Sequence, residues 1–529
     1  MIELYDTTLR DGTQGEGVCL TLKDKLRITS LLDSFGMHLI EGGWPGSNPK
    51  DAEYFAAVQD LKLSHARIAA FGSTCRPTLA VEDDANLTAL IESNAPVMTI
   101  FGKTWTRHVT EVLRTDLENN LRIIRESVTY LLAANRDVIY DAEHFFDGYK
   151  EDSAYALETL RAAITGGASR VVLCDTNGGT LPHELAEIVS DVVKAIDFPL
   201  GIHAHNDSGC AVANSMMAIN AGATHVQGTV NGIGERCGNA DLCTIIANLE
   251  LKGGHKVLPE GNLKRLMELS GVVGELCNMS VQNGTPYVGR SAFAHKGGVH
   301  VAALQRNEGS YEHVTPDSVG NSTRILVSEL SGRGNICYKA DEFGLADSKE
   351  SSVAVLEQIK ALEAQGASFE AAEASVELLL RRQHEDYQPF FELLDFMVVV
   401  EHREGRGHLA EANVKIRIDN DVHHTVAEGS GPVEALDIAL RKALTPSYPA
   451  IANFHLTDYK VRILDGSQAT QALTRVLIDT TDNGRTWTTV GASRNIIEAS
   501  WQALYDSFEF GLVQAYGTRE SDLLLAESA

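Results

Sequence analysis

No stretch of this 529-residue sequence approaches the ~18 consecutive apolar residues of a membrane-spanning helix, which speaks against an integral helical membrane protein. The opening MIELYDTTLR places Glu3 and Asp6 where an export signal needs a basic region followed by an apolar run, so a cytoplasmic protein is expected. Eight cysteines run from Cys19 to Cys337 without one Cys-x-x-C pair, a usage that suits reduced thiols better than a disulfide frame or a structural zinc site. Positive charge is scarce. Against 72 acidic residues stand 45 lysines and arginines, and the net charge of -27 repels phosphate backbones and anionic lipid headgroups. Nucleic-acid and membrane partners are therefore not expected, and an anionic substrate must meet a local basic site.

What is present reads as an enzyme-sized globular chain. Hydrophobic content of 44% and charged content of 22% are ordinary for a folded protein. Short apolar runs recur at Ile2–Tyr5, His38–Ile40, Arg67–Phe71, Val97–Phe101, Val138–Tyr140, Arg170–Cys174, Leu200–His203 and His225–Val230, with an amphipathic helical stretch after each. Strands alternating with helices imply parallel βαβ units, and eight of them in about 250 residues match a closed (β/α)8 TIM barrel, with a doubly wound sheet as the alternative. Local punctuation agrees: Thr21 precedes an apolar-periodic run with Asp24 at the capping-box position and Gly36 at its end, and Asn48-Pro49 opens the next helix. The expected fold is α/β: a TIM barrel over 1–260, a mainly helical linker region over 261–390 that reaches toward the barrel, and a C-terminal α+β domain over 391–529. Helices are expected at Glu350–Gln365 and Ser368–His384.

In such a barrel the C-terminal strand ends carry the chemistry. Strand seven ends in His203-Ala204-His205-Asn206-Asp207, and alternate residues of a strand share a face, so both imidazoles would project to the barrel mouth. This pattern fits two ligands of one metal ion, and it also fits two barrel-lining histidines satisfied by hydrogen bonds. Strand one ends in Asp6-Thr7-Thr8-Leu9-Arg10-Asp11-Gly12-Thr13-Gln14, where Asp11 is either a turn residue or the third ligand of a two-histidine, one-carboxylate set. Such a set suits a divalent Mg, Mn, Co or Zn ion acting as Lewis acid on a chelating 2-oxo acid, with Arg10 as the clamp on its carboxylate.

These two segments, with Asn231-Gly232-Ile233-Gly234-Glu235-Arg236-Cys237-Gly238-Asn239-Ala240, resemble the three signatures of the 2-isopropylmalate, homocitrate and citramalate synthase family. Within it, Glu41-Gly42-Gly43-Trp44-Pro45-Gly46-Ser47-Asn48 and Cys174-Asp175-Thr176-Asn177-Gly178-Gly179 look most like the long-chain citramalate synthases. The resemblance implies an acyltransferase that condenses acetyl-CoA with a small 2-oxo acid and hydrolyses the thioester. It casts Asp11, His203 and His205 as metal ligands, Asn239 as a possible further one, and Arg10 and Thr176 as contacts to the oxo acid. Glu143 becomes a catalytic acid or base, and His300, in Gly297-Gly298-Val299-His300, a catalytic histidine from outside the barrel with Tyr311 as its companion. Pyruvate is the expected oxo acid, 2-oxoisovalerate the alternative.

The last segment repeats itself. Thr425-Val426-Ala427 followed by Glu434-Ala435 and Leu440 corresponds to Thr489-Val490-Gly491 followed by Glu498-Ala499 and Leu504, at an offset of 64 residues. Each copy reads strand, hairpin, strand, helix, and Asp482-Asn483-Gly484 marks a tight hairpin between Val476–Asp479 and Thr486–Val490. On its own this is a structural or dimerising module; the resemblance implies a homodimer with an allosteric domain whose logical effector is isoleucine. Competing readings fare worse. A biotin-dependent carboxyltransferase should carry or partner a Met-Lys-Met segment, absent here, and the Gly-Gly-Cys-Pro loop of a hydroxymethylglutaryl-CoA lyase is replaced by Gly234-Glu235-Arg236-Cys237-Gly238. A non-catalytic amino-acid-sensing barrel should have lost ligands, and all stand.

Overall fold

The computed structural model describes residues 2–345, 349–384, 386–405, 407–517 and 519. The chain divides into two compact units, one of Met1–Phe293 with Glu312–Ser322, the other of Ala294–Tyr311 with Thr323–Ala529.

The first unit is built on eight strands: β1 (Glu3–Asp6), β2 (Leu39–Gly43), β3 (Arg67–Ser73), β4 (Val97–Lys103), β5 (Asp137–Glu143), β6 (Arg170–Asp175), β7 (Leu200–Ala204) and β8 (His225–Gly228). They are parallel and close in sequence order, with β8 paired back to β1, so the sheet is a barrel and not the open doubly wound alternative. Both faces of each strand are covered, which explains why the apolar runs were nearly continuous. Inside the barrel Tyr5, Leu39, Ala69, Val97, Ile139, Val172 and Cys174 form one apolar layer. Their neighbours Leu4, Ile40, Ile68, Met98 and Tyr140 join the core beneath the surrounding helices, as the two-residue period of a strand requires. Helix Leu22–Phe35 starts at the Thr21–Asp24 capping box and stops at Gly36 in the left-handed region (φ 105°), and Asn48 caps helix Pro49–Val58. At Gly36 a Cβ would also meet Pro259 at 2.3 Å, so glycine is needed there twice over.

The N-terminal strand ends are tied by charge. Glu3, Arg67, Asp137, Arg170 and His225 each begin a strand. Arg170 lies 2.7 Å from Glu3 and 3.9 Å from Asp137, Arg67 pairs with Asp137 at 2.8 Å, and His225 meets Glu3 at 2.8 Å. The barrel thus has an ion-paired floor, a middle in which the apolar layer is crossed by the buried polar side chains His225, Gln227 and Asp141, and a polar mouth.

The second unit contains β9 (Ala294–His295) paired in parallel with β10 (Arg324–Ile325), helices Gly298–Leu304, Arg333–Glu342, Lys349–Ala364 and Glu373–Arg381, and two three-stranded antiparallel sheets. The first sheet is β11 (Glu392–Arg403), β12 (Gly407–Ile418) and β13 (Asp421–Gly429), followed by helix Pro432–Leu444; the second is β14 (His455–Ile463), β15 (Thr474–Thr481) and β16 (Thr486–Ser493), followed by helix Ile496–Tyr516. The repeat is real and larger than the sequence suggested, three strands and a helix per copy where two strands were expected. Asn483 takes the left-handed conformation (φ 68°) in the anticipated hairpin. Both copies contribute to one core, in which Ala412, Val414 and Ile416 share a cluster with Val476, Ile478, Leu440, Leu504 and Phe508. The helix expected from Ser368 is shorter and begins at Glu373, because the chain before it is drawn into a turn whose Phe369 amide donates to Glu363 at 3.0 Å. Among the described residues no helix is long and apolar enough to cross a membrane.

Candidate active site

His203 lies on β7, His205 one residue beyond it, and Asp11 in the turn after β1; all three are buried and each offers a ligand atom within 4.8 Å of the others. The Nε2 atoms of the two imidazoles stand 3.3 Å apart, and Asp11 Oδ2 lies 3.5 Å from one and 3.9 Å from the other. Burial pushes both imidazoles toward their neutral forms, His205 down to about 4. Burial would raise Asp11, yet the adjacent positive charge of Arg10 holds its carboxyl down to about 2. Two neutral imidazoles and a carboxylate with converging lone pairs make a poor hydrogen-bonded cluster and a good donor set for a divalent cation. Around them, His205 Nδ1 and Asn239 Oδ1 are buried without a protein partner among the described residues. Asn239 also donates to Asp11 Oδ1 at 3.0 Å, so its side chain belongs to the same cluster. The donor set fits a divalent metal.

Arg10 is held on three sides. Its Nε donates to Glu41 at 2.6 Å, its Nη1 to Asp11 at 3.0 Å, and its guanidinium carbon lies over the Phe71 ring, 3.7 Å from the centroid. Glu41 in turn accepts from Tyr5 at 2.7 Å and from Thr7. Among the described residues nothing occupies the Nη2 hydrogens of Arg10, which stay available to a ligand. A cavity of about 190 Å³ opens beside it, lined by Arg10, Asp11, Glu143, Thr176, His203 and His205 and walled by Trp44, Phe71 and Phe101.

Thr176 follows β6. Its hydroxyl oxygen accepts the His144 amide at 2.9 Å, which leaves its own proton to donate, and its carbonyl accepts from Arg236 at 2.7 Å. Arg236 also grips Asp207 at 2.7 and 2.9 Å, tying together the loops after β6, β7 and β8. His144 and Arg236 both carry positive φ (54° and 56°), non-glycine residues held in a costly conformation at the barrel mouth. Glu143, the last residue of β5, is ion-paired with Lys103, the last of β4. His300 and Tyr311 lie in the second unit, stacked on each other with ring centroids 4.2 Å apart.

The sequence-based site is thus brought together at one cavity for Arg10, Asp11, Glu143, Thr176, His203 and His205, with Asn239 bonded to Asp11, whereas His300 and Tyr311 form a pair of their own. Sequence reasoning missed Lys103, Asp141 and Gln227. Lys103 and Asp141 carried a signal, each being a charged residue in or just beyond an apolar run at the end where polarity gathers. Gln227 sits inside an apolar stretch and gave none.

Models of known families match the whole arrangement in order: HMGL-like over residues 1–273, homocitrate synthase post-HMGL domain-like over 287–367, and the LeuA allosteric (dimerisation) domain over 370–512. An (R)-citramalate synthase of Geobacter sulfurreducens is 53% identical over 97% of this chain and 98% of its own length. One from Aquifex aeolicus is 51% identical over 97% of this chain and 98% of its own. The chain belongs to the (R)-citramalate synthase family. It is an acyltransferase. A probable 2-isopropylmalate synthase of Methanopyrus kandleri stands further off, at 32% identity over 95% of this chain and 96% of its own.

Proposed function

We propose that this chain is an (R)-citramalate synthase, joining the acetyl group of acetyl-CoA to pyruvate in a Claisen-type condensation and then hydrolysing the thioester, as a step toward isoleucine in the cytoplasm. The observation that carries the reading is the convergence of Asp11, His203 and His205 with Arg10, Thr176 and Glu143 on one cavity of about 190 Å³. Asp11, His203 and His205, with Asn239 as a further ligand, would hold Mg, Mn, Co or Zn. A bound ion would polarise the 2-oxo group as a Lewis acid.

The chain's own groups supply the rest. Pyruvate presents a carboxylate beside a carbonyl; the Nη2 side of Arg10 and the hydroxyl of Thr176 are donors for it. Its single methyl suits the wall of Trp44, Phe71 and Phe101. A proton leaves the acetyl methyl, the new carbon–carbon bond forms at the oxo carbon, and the carbonyl oxygen gains a proton to become a tertiary hydroxyl. Glu143 and the His300–Tyr311 pair serve these proton transfers. Water then cleaves the C–S bond, giving a carboxylate and free coenzyme A.

The second unit serves as a dimerisation and effector domain, with isoleucine as effector and a homodimer as the assembly. The match to the LeuA domain supports this, as do the apolar side chains Met397, Val399, Val422 and Val426, which β11 and β13 leave 54%, 47%, 52% and 45% exposed. The test is thiol release from acetyl-CoA with pyruvate, 2-oxobutyrate and 2-oxoisovalerate. A preference for pyruvate is expected, and a preference for 2-oxoisovalerate would transfer the assignment to isopropylmalate synthesis.

A further inference from the structure

A column of hydrogen bonds, partly buried at Glu3 and fully buried above it, runs up the inside of the barrel from its ion-paired floor to the metal site. Glu3 Oε2 lies 2.8 Å from His225 Nδ1, His225 Nε2 lies 3.4 Å from Gln227 Nε2, and Gln227 Oε1 lies 2.9 Å from His203 Nδ1. Strand register imposes the order: Glu3 faces His225 across β1 and β8, and His203 faces Gln227 across β7 and β8. Histidine and glutamine can each be turned either way, so the column has two possible polarities. Its lower end decides between them.

A carboxylate only accepts. Glu3 is pinned by Arg170, whose Nε lies 2.7 Å from Oε2 and whose Nη2 lies 2.9 Å from Oε1. His225 therefore carries its proton on Nδ1 and presents a lone pair at Nε2. That lone pair needs a donor, which turns the amino group of Gln227 toward His225 and its carbonyl toward His203. A carbonyl accepts only, so His203 is protonated on Nδ1 and bare on Nε2, the atom that faces His205 and Asp11. With the opposite polarity His203 would aim an N–H into the site, and no cation could bind to it. Asp141 takes the second hydrogen of Gln227 at 3.1 Å but does not choose the direction, because burial holds its carboxyl well above the usual range and a protonated acid can donate as readily as accept.

We propose that Glu3, acting through His225 and Gln227, fixes the tautomer of His203 and so is a positioning residue for the metal site. The inference rests on the metal-site reading above. Partners that orient a ligating histidine typically change metal affinity by about 10- to 100-fold when lost.

The experiment is calorimetric titration of the chelator-treated full-length chain with Mn²⁺. Glu3→Gln keeps the shape of the side chain but no longer fixes the column: Oε2 meets both Arg170 Nε and His225 Nδ1, and an amide there opposes an N–H to Arg170 in either orientation, so neither polarity is imposed on His225; affinity should fall about 10- to 100-fold. Adding Gln227→Glu to Glu3→Gln should restore most of that loss, because the new carboxylate accepts from His203 whichever way His225 is turned. Arg170→Met removes the same ion pair without supplying a donor and should leave the affinity at its wild-type value. Wild-type affinity in Glu3→Gln would overturn the inference, as would an equal loss in Arg170→Met, which would mark a general loosening of the barrel floor. The two readings fail separately. If wild type binds Mn²⁺ no better than His203→Ala, the metal-site reading falls and takes this one with it; if binding depends on His203 but ignores Glu3→Gln, only the present inference falls.

Discussion

Lys103 and Glu143 are register partners at the ends of adjacent strands β4 and β5, and their side chains form an ion pair at the barrel mouth. The pairing fixes a carboxylate that two free side-chain torsions would otherwise let swing. Glu143→Gln should lower kcat by about 10²–10⁴ if it serves proton transfer. Lys103→Met removes one charge-assisted hydrogen bond, worth ~1.5–3 kcal/mol, and so should cost about tenfold to a hundredfold, mainly in kcat. Steady-state kinetics with varied oxo acid separates the cases, since a change confined to KM would make Lys103 a substrate contact instead.

Metal removal should abolish activity and be reversed by adding back a divalent ion. His203→Ala, His205→Ala and Asp11→Asn should each lower the metal content of purified protein as well as its rate. Full activity in chelator-treated, metal-free enzyme would remove the metal from the mechanism.

Arg10→Lys keeps the charge and loses the plane. The guanidinium spans Glu41 and Asp11 while lying on Phe71, and an ammonium can satisfy neither the fork nor the stack. A loss in kcat/KM of about tenfold to a hundredfold is expected, the equivalent of one charged hydrogen bond. Near-normal kinetics in this variant would show that Arg10 is not the carboxylate clamp.

Glu509 gives the second unit a pH dependence. Burial raises its carboxyl to about 7, although Tyr387 donates to it at 2.6 Å and the Phe390 amide at 3.0 Å. Because the folded value lies above the unfolded one, near 4.5, the folded state holds this proton more tightly. The resulting stabilisation is complete below about pH 4.5 and is lost as pH rises through about 7, a change of up to ~3 kcal/mol. Calorimetric melting of wild type and Glu509→Gln between pH 5 and 8 should show wild type losing ground to the variant as pH rises; a constant difference would assign Glu509 no linked proton.

Isoleucine should inhibit full-length protein, and truncation before Glu392 should remove the inhibition while the Asp11–His203–His205 site still binds metal. Coupling of ~1–3 kcal/mol is typical for such effectors. A full-length enzyme indifferent to both isoleucine and leucine would leave the C-terminal unit a structural one.

The barrel was legible because its strands and helices alternate with different hydrophobic periods, and because Thr21, Gly36 and Asn48-Pro49 punctuate locally. His203, His205 and Asp11 were legible because they cluster at strand ends. What could not be read depends on register. Lys103 and Glu143 are 40 residues apart, and Glu3 and His225 are 222 apart; only the closed sheet makes each pair neighbours. The first strand of the second C-terminal copy was missed for another reason. In β14 every side chain but Tyr459 is exposed, so the alternation that betrays a half-buried strand is absent.

Because Val414 of one repeat and Ile478 of the other lie in the same core cluster, the two copies are not independent modules that happen to share a chain. Each is half of a fold. A polypeptide cut between them, near Ser447, would expose the faces that the halves now hide from water, and each fragment would dissolve only by finding a twin. Engineering of this region must therefore add, delete or exchange the copies as a pair.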